Sequence, residues 1–219
     1  MKNFLFTSIG KKVAMALSAL FLMIFLLQHF VINITSVFSE ELFNWLSHFM
    51  GTNPLVQFVL QPILIAGVIF HFVMGFYLEI QNRKATKYEY YKERGGENST
   101  WMSRNMIWSG LVILSFLILH FVDFWIPEMN YKYVEFLPDD PNRYYEELVH
   151  KFESPWRVVM YCVSFVLLSL HLLHGFSSAL KSMGTNKSYS SSVKNLSVLY
   201  SIGIPLGFCF IAVFHYFFH

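Results

Sequence analysis

Charged residues are scarce in this sequence. Only 14% of its 219 residues are Asp, Glu, Lys or Arg, whereas ordinary soluble domains contain about 25%. The 16 basic and 14 acidic residues leave a net charge of only +2, so no basic excess indicates nucleic-acid binding. Hydrophobic residues make up 55% of the chain, and 24 phenylalanines exclude a disordered protein. The composition therefore predicts a membrane protein.

Cysteine is also scarce, and this limits the cofactors that the chain can hold. Cys162 and Cys209 both lie within apolar runs and form no ligand cluster for an iron–sulfur centre. The sequence has no Cys-x-x-Cys-His motif for covalent haem attachment and no glycine-rich dinucleotide fingerprint for FAD. Any cofactor must therefore be held by other side chains.

Five apolar runs are long enough to cross a membrane as helices, which takes about 20 residues each. The runs cover approximately residues 13–38, 56–78, 105–126, 156–180 and 196–218. The first run is too long for a secretory signal, and its small residues precede its most apolar part, so we expect it to remain in the chain. The sequence predicts an all-α integral membrane protein, a single domain over residues 1–219, whose first four helices form a four-helix bundle.

Basic residues predict the orientation of the five helices, because Lys and Arg accumulate in short cytoplasmic loops. Twelve of the 16 basic residues lie before the first run, between the second and third, or between the fourth and fifth. The remaining four lie in or beside the long, acidic connection between the third and fourth runs. This asymmetry predicts a cytoplasmic N-terminus and an external C-terminus.

Four of the nine histidines lie inside the predicted membrane helices, where ionisable side chains are rare and indicate function. His29, His71, His120 and His171 fall one in each of the first four runs. His29 lies about 24 Å along its helix from the cytoplasmic side, at 1.5 Å per residue. The same arithmetic puts His120 in the outer half of the membrane and His71 and His171 in the inner half. The sequence therefore predicts two histidine pairs at two depths.

Two such pairs match the requirement of two haem b groups, each held by two imidazoles from neighbouring helices. His71 and His171 are each followed four residues later by a glycine, Gly75 and Gly175, which leaves space for a flat ring. A single membrane histidine could instead form a hydrogen bond between helices. His174 is an alternative inner ligand, a partner of a haem propionate or a packing residue.

Several segments resemble the cytochrome b subunit of succinate:quinone oxidoreductases, in its five-helix, two-haem form. The segment Gln28-His29-Phe-Val-Ile-Asn33 resembles the family's first ligand segment, and His71-x3-Gly75-x-Tyr77 resembles the second. The segment Phe43-Asn44-x3-His48-Phe49-Met50 resembles the family's first external loop. The resemblance covers all five helices. It implies a membrane anchor in which His71 and His171 ligate the inner haem, and His29 and His120 the outer haem.

The resemblance also implies the partners of this chain. A flavoprotein subunit and an iron–sulfur subunit would dock on the cytoplasmic face of the cell's inner membrane, and a dimer of the whole complex is compatible with the resemblance. Electrons would pass from the iron–sulfur subunit through the two haems to menaquinone, or in the reverse direction for fumarate reduction. His48, Asn33 and Asp123 are candidates for a quinone site near the outer haem. Basic residues either pair with haem propionates or set the topology: Arg83, Lys84, Arg104, Lys181 and Arg157.

Two other functions share part of this pattern. The cytochrome b subunit of a hydrogenase or formate dehydrogenase also pairs histidines across a bundle, but it should receive electrons from the outer side. The basic connection at residues 87–94 favours a donor on the inner side. A proton-coupled transporter with a histidine relay is the third reading; transporters more typically have broken helices, and only Pro62 and Pro205 are candidate kinks.

Overall fold

The computed structural model describes residues 7–85, 105–184 and 191–218, and within these ranges it contains helices and no strand. The basic connection at 87–94, Arg104, His219 and the side chain of Arg83 lie outside the described part of the chain. Three short turns interrupt the helices: a 3-10 turn at Thr35–Val37 and π-helical turns at Val56–Leu60 and Phe121–Trp125. The α-helices are α1 (Ser8–Ile34), α2 (Glu40–Thr52), α3 (Gln61–Ala85), α4 (Met106–His120), α5 (Ile126–Tyr133), α6 (Arg143–Phe152), α7 (Pro155–Ser182) and α8 (Ser191–Phe218).

Within the described ranges, five helical segments are long and apolar enough to cross a membrane, which confirms the five predicted runs. They are Ser8–Val37, Val56–Asn82, Met106–Tyr133, Pro155–Ser182 and Ser191–Phe218. Large apolar side chains along these segments point outward, among them Ile24, Ile69, Ile118 and Val163, each more than half exposed. An outer surface of this kind is stable in lipid and not in water. The segments extend beyond most of the predicted bounds, because the helices continue into their polar ends.

Four of the five spans occupy the corners of a bundle. α1 packs against both α3 and α7, and α4 also packs against α3 and α7. α1 and α4 are therefore at opposite corners, and so are α3 and α7. The fifth span, α8, packs mainly along α7 and also contacts α1.

The buried core lies on one side of this bundle. It joins α2, α6, α7 and α8 through Phe43, Phe152, Phe165, Phe208 and their neighbours. Phe30 of α1 packs so closely on α8 that a Cβ at Gly207 would lie 2.3 Å from its ring, so this position requires glycine. Among the described residues, α3 and α4 contribute no fully buried side chain.

Three short helices, α2, α5 and α6, cover one end of the bundle, which we call the short-helix end. The buried Asn44 of α2 accepts a hydrogen bond at its Oδ1 from the backbone N–H of Tyr145 in α6, at 2.8 Å. Glu128 of α5 forms ion pairs with Lys132 and with Arg143 of α6. The long acidic connection of the sequence is thus an ordered helical cap.

Candidate functional site

His29 and His120 face each other between opposite corners of the bundle. Their ring centres are 5.7 Å apart and their planes are nearly perpendicular, at 84°. Phenylalanine rings surround the pair: Phe25 stacks on His29 at 5.5 Å, and Phe116 stacks on His120 at 5.9 Å. Both histidines lie toward the short-helix end, since α2 begins eleven residues after His29, and the π-helical turn that leads into α5 follows His120 directly. This pair therefore lies in an aromatic, apolar environment.

His71 and His171 form the second pair, between the other two corners. Their ring centres are 6.4 Å apart, with 68° between the planes. His171 is thus the residue whose ring lies opposite His71. His174, three residues later, takes part in a hydrogen bond through its backbone carbonyl, which accepts from the Ser177 hydroxyl at 3.1 Å. The four histidines are brought together in the combinations that the sequence predicts.

Each histidine of the second pair is also in contact with a serine of a neighbouring helix. Ser18 Oγ of α1 lies 3.1 Å from His71 Nδ1, and Ser109 Oγ of α4 lies 3.1 Å from His171 Nδ1. Both hydroxyl groups donate to the carbonyl three residues earlier, of Met15 at 2.8 Å and of Met106 at 2.9 Å. The two contacts are therefore equivalent in geometry.

The sequence analysis missed these serines, although the chain carries a signal for them. Ser18 precedes His29 by eleven residues, and Ser109 precedes His120 by eleven residues. A methionine lies three residues before each serine, so α1 and α4 share the pattern Met-x2-Ser-x10-His. α3 and α7 share the His-x3-Gly pattern in the same way. The bundle is therefore an internal repeat, in which the pair α1 and α3 corresponds to the pair α4 and α7.

The glycines of the His-x3-Gly pattern are covered by the repeated methionines. A Cβ at Gly75 would lie 3.6 Å from Met15 Cε, and one at Gly175 would lie 3.5 Å from Met106 Cε. These are ordinary contacts with the ends of flexible side chains. Met15 and Met106 therefore have two contacts each. Their carbonyls accept from the serines, and their side chains cover the glycines of α3 and α7.

Asp123, a predicted quinone candidate, lies in the π-helical turn that follows His120. Its side chain is 1% exposed. It accepts hydrogen bonds from Arg157 Nε at 3.1 Å and from the Tyr161 hydroxyl at 3.0 Å. The ring of Tyr161 in turn contacts the ring of His120, at 6.3 Å between centres. Asp123 is thus a buried carboxylate connected to the His29–His120 pair.

The other two quinone candidates also lie toward the short-helix end. Asn33 donates from its Nδ2 to the carbonyl of His29 at 2.8 Å, and the same nitrogen is 3.4 Å from His29 Nδ1. His48 of α2 contacts Asp139 at 3.4 Å and the ring of Tyr144. The structure therefore places Asn33 and Asp123 beside the histidine pair, and His48 in the helical cap.

The predicted partners of haem propionates have different surroundings. Arg157 is already paired with Asp123. Lys84 and Lys181 are exposed near the ends of α3 and α7, opposite to the short-helix end. These two lysines therefore remain available at the end of the bundle nearer to His71 and His171.

The donor atoms in the described ranges come in twos and not in larger clusters. No group of three or more His, Cys, Asp or Glu side chains able to hold a metal ion occurs among the described residues. Zinc sites built from protein ligands alone normally use three or four such side chains. Two facing imidazoles instead suit a metal whose other ligands come from a macrocycle.

No family model matches the chain, and neither a curated protein nor a solved structure is significantly similar to it.

Proposed function

We propose that this chain is a membrane cytochrome b that holds two haem groups, one between His29 and His120 and one between His71 and His171. The observation that carries the proposal is the presence of two separate pairs of facing imidazoles inside one membrane bundle. Each pair joins opposite corners, so a group bound between them lies on the axis of the bundle. Two haem groups stacked in this way would carry electrons across the membrane.

The distances within the pairs suit this ligation. Two metal–nitrogen bonds of about 2 Å, on opposite sides of one metal ion, place the centres of the two imidazoles about 6 Å apart. The measured separations are 5.7 Å and 6.4 Å. The low burial of α3 and α4 also fits a bundle whose interior accommodates two large apolar rings. Phe25, Phe116 and Phe208 supply an apolar lining for one of them.

We further propose that the chain serves as the membrane anchor of a succinate:quinone oxidoreductase in the inner membrane, with its N-terminus in the cytoplasm. This step rests on the motifs around His29, His48 and His71. An iron–sulfur subunit and a flavoprotein subunit would dock at the end where Lys84 and Lys181 are exposed. Menaquinone would react near the opposite end, where Asn33 and the buried Asp123 adjoin the His29–His120 pair. The succinate chemistry would belong to the flavoprotein.

The proposal is tested by purifying the chain from membranes and counting its haem as the pyridine haemochrome. We expect two haem b per chain. His29→Ala and His71→Ala should each remove one haem, and a different one. The matched control is His150→Ala, because His150 is exposed in α6 and its ring contacts only Glu153 among the described ion pairs. Absence of a b-type signal in the wild type would overturn the proposal.

Co-purification identifies the complex. A flavoprotein that oxidises succinate, recovered with the chain and its iron–sulfur partner, supports the succinate:quinone assignment. Recovery of a hydrogenase or formate dehydrogenase subunit instead would leave the cytochrome proposal standing and assign the chain to a different complex. Loss of succinate-dependent haem reduction on removal of the flavoprotein provides the second readout.

A further inference from the structure

We infer that Ser18 and Ser109 are positioning residues of one haem site, the site of His71 and His171, and that they fix the tautomer of both ligands. This inference rests on the proposed haem ligation. It concerns two serines that lie on the other pair of helices, α1 and α4. Neither serine would touch the iron, because each contacts Nδ1 of its histidine and leaves Nε2, the other ring nitrogen, to bind the metal.

The tautomer follows from the single proton of each hydroxyl group. Ser18 Oγ donates its proton to the Met15 carbonyl at 2.8 Å, and Ser109 Oγ donates its proton to the Met106 carbonyl at 2.9 Å. The hydroxyl oxygens can then only accept from a histidine. The Nδ1 atoms at 3.1 Å must therefore carry the ring proton. In a neutral imidazole this leaves the lone pair on Nε2, which is the atom available to a metal.

The two contacts also hold the histidine rings in fixed orientations. A metal-bound histidine typically donates its second N–H to an acceptor, which orients the ring and raises its basicity as a ligand. Here the acceptor comes each time from the adjacent corner helix, so α1 supports the ligand on α3, and α4 supports the ligand on α7. The repeat of Met-x2-Ser in α1 and α4 makes the two halves of the site equivalent.

The other histidine pair has no such support among the described contacts. Nδ1 of His120 is buried and has no hydrogen-bond partner. The Asn33 amide nitrogen, which is a donor, lies 3.4 Å from His29 Nδ1 and 3.5 Å from its Nε2. The inference therefore predicts different effects of serine removal on the two haems.

The experiment is a redox titration of the two haem signals in the purified complex that carries Ser18→Ala or Ser109→Ala. Without the acceptor the ligand is less basic and stabilises ferric iron less, so the midpoint potential should rise. We expect a loss of about tenfold in the preference for ferric over ferrous iron, which equals about 59 mV for one electron. Both substitutions should move the same signal, because His71 and His171 would share one iron, and should leave the other signal in place.

Two further variants keep the test specific. Ser18→Thr retains the hydroxyl group and should restore the wild-type potential. Ser115→Ala is the matched control, because Ser115 is an exposed serine of α4 whose hydroxyl bonds only its own helix, at Leu111 O; it should move neither signal.

The inference is overturned if the two alanine variants move different signals, if neither moves a signal, or if Ser115→Ala has the same effect. In a complex with two haems, the last two results leave the proposed function intact, whereas alanine variants that move different signals also contradict the ligation of one haem by His71 and His171. A wild-type protein without haem would overturn both, so the two failures are distinguishable.

Discussion

Arg157 of α7 donates from its Nε to Oδ1 of Asp123, across a distance of 3.1 Å, in the π-helical turn next to His120. The same carboxylate accepts from the hydroxyl of Tyr161, a residue that packs within the buried core. The arrangement connects a histidine pair to the core by one buried carboxylate. A substitution of Asp123 should therefore change both the stability of the protein and the surroundings of the His29–His120 pair. The two effects are measured by different experiments.

Asp123→Ala should destabilise the protein, because it leaves the Tyr161 hydroxyl and Arg157 without their acceptor. Loss of one partner of a buried ion pair costs about 3–5 kcal/mol. The Arg157 side chain is 40% exposed and can reach water, so we expect about 1–3 kcal/mol. Thermal unfolding in detergent measures this, with the exposed Asp140 changed to Ala as the control. Equal stability of the two variants would contradict the expected role.

The same substitution should perturb the His29–His120 pair selectively, because Tyr161 contacts the ring of His120. In the haem-loaded protein, the spectrum of one haem should change while the other stays constant. Asp123→Asn, which keeps one oxygen acceptor, should have a smaller effect. An identical shift of both haem signals would show that the effect is global.

Gly207→Ala should destabilise the packing of α8 on α1. A Cβ at this position would lie 2.3 Å and 2.5 Å from ring atoms of Phe30, and overpacking of this kind costs about 1–3 kcal/mol. Gly203→Ala, one turn earlier, would meet only the end of the Leu199 side chain at 3.9 Å. That control should gain about 0.5–1 kcal/mol from helix propensity. Unfolding temperatures that do not separate the two variants would argue against the close contact.

Tyr144, in the short-helix end, should make the stability depend on pH in alkaline solution. Burial, together with the negative charge of Glu128, raises the pKa of the Tyr144 hydroxyl above its ordinary value. The unfolded chain then releases this proton near pH 10 while the folded protein retains it, so stability falls as the pH rises above about 10.

Tyr144→Phe should remove this part of the slope, which amounts to at most about 1.4 kcal/mol per pH unit. The control is Tyr133→Phe, because the ring of Tyr133 is exposed. The measurement is the unfolding free energy between neutral and alkaline pH. A Tyr144→Phe variant that parallels the wild type throughout would contradict the assignment.

Electron paramagnetic resonance should report the angle between the histidine planes if the proposed haems are bound. Each imidazole donates electron density to the iron orbital perpendicular to its plane, so two perpendicular planes leave the iron orbitals nearly equal in energy. The angles of 84° and 68° should therefore give strongly anisotropic low-spin ferric signals for both haems. Two signals typical of parallel imidazoles would show that the rings rotate when haem binds.

The sequence predicts the spans and the histidine combinations because both depend on local patterns. Hydropathy identifies five runs, and counting residues from their ends gives the relative depths of His29, His71, His120 and His171. The membrane orientation and the partners stay predictions. The His-x3-Gly spacing favours His171 over His174 as the inner ligand, and the ring that contacts His71 in the structure is that of His171.

The parts that the sequence analysis missed depend on contacts between distant segments. The helices α5 and α6 are stabilised by ion pairs from Glu128 to Arg143, fifteen residues later, which a local hydropathy pattern does not reveal. The pairing of Asp123 with Arg157 requires α4 and α7 to be adjacent. Ser18 and Ser109 are ordinary helix serines until the packing of α1 on α3 and of α4 on α7 brings histidines next to them.

The internal repeat has a consequence for biogenesis. Each histidine pair takes one residue from the first half of the chain, α1 to α3, and the other from the second half, α4 to α7. During synthesis, a chain that has inserted only its first two spans contains one member of each pair and no complete pair. Under the proposed function, the His29–His120 site is complete only when the third span has entered the membrane, and the His71–His171 site only when the fourth has. The two haems would therefore be captured in that order, and loading of the second would report that insertion of the bundle is complete.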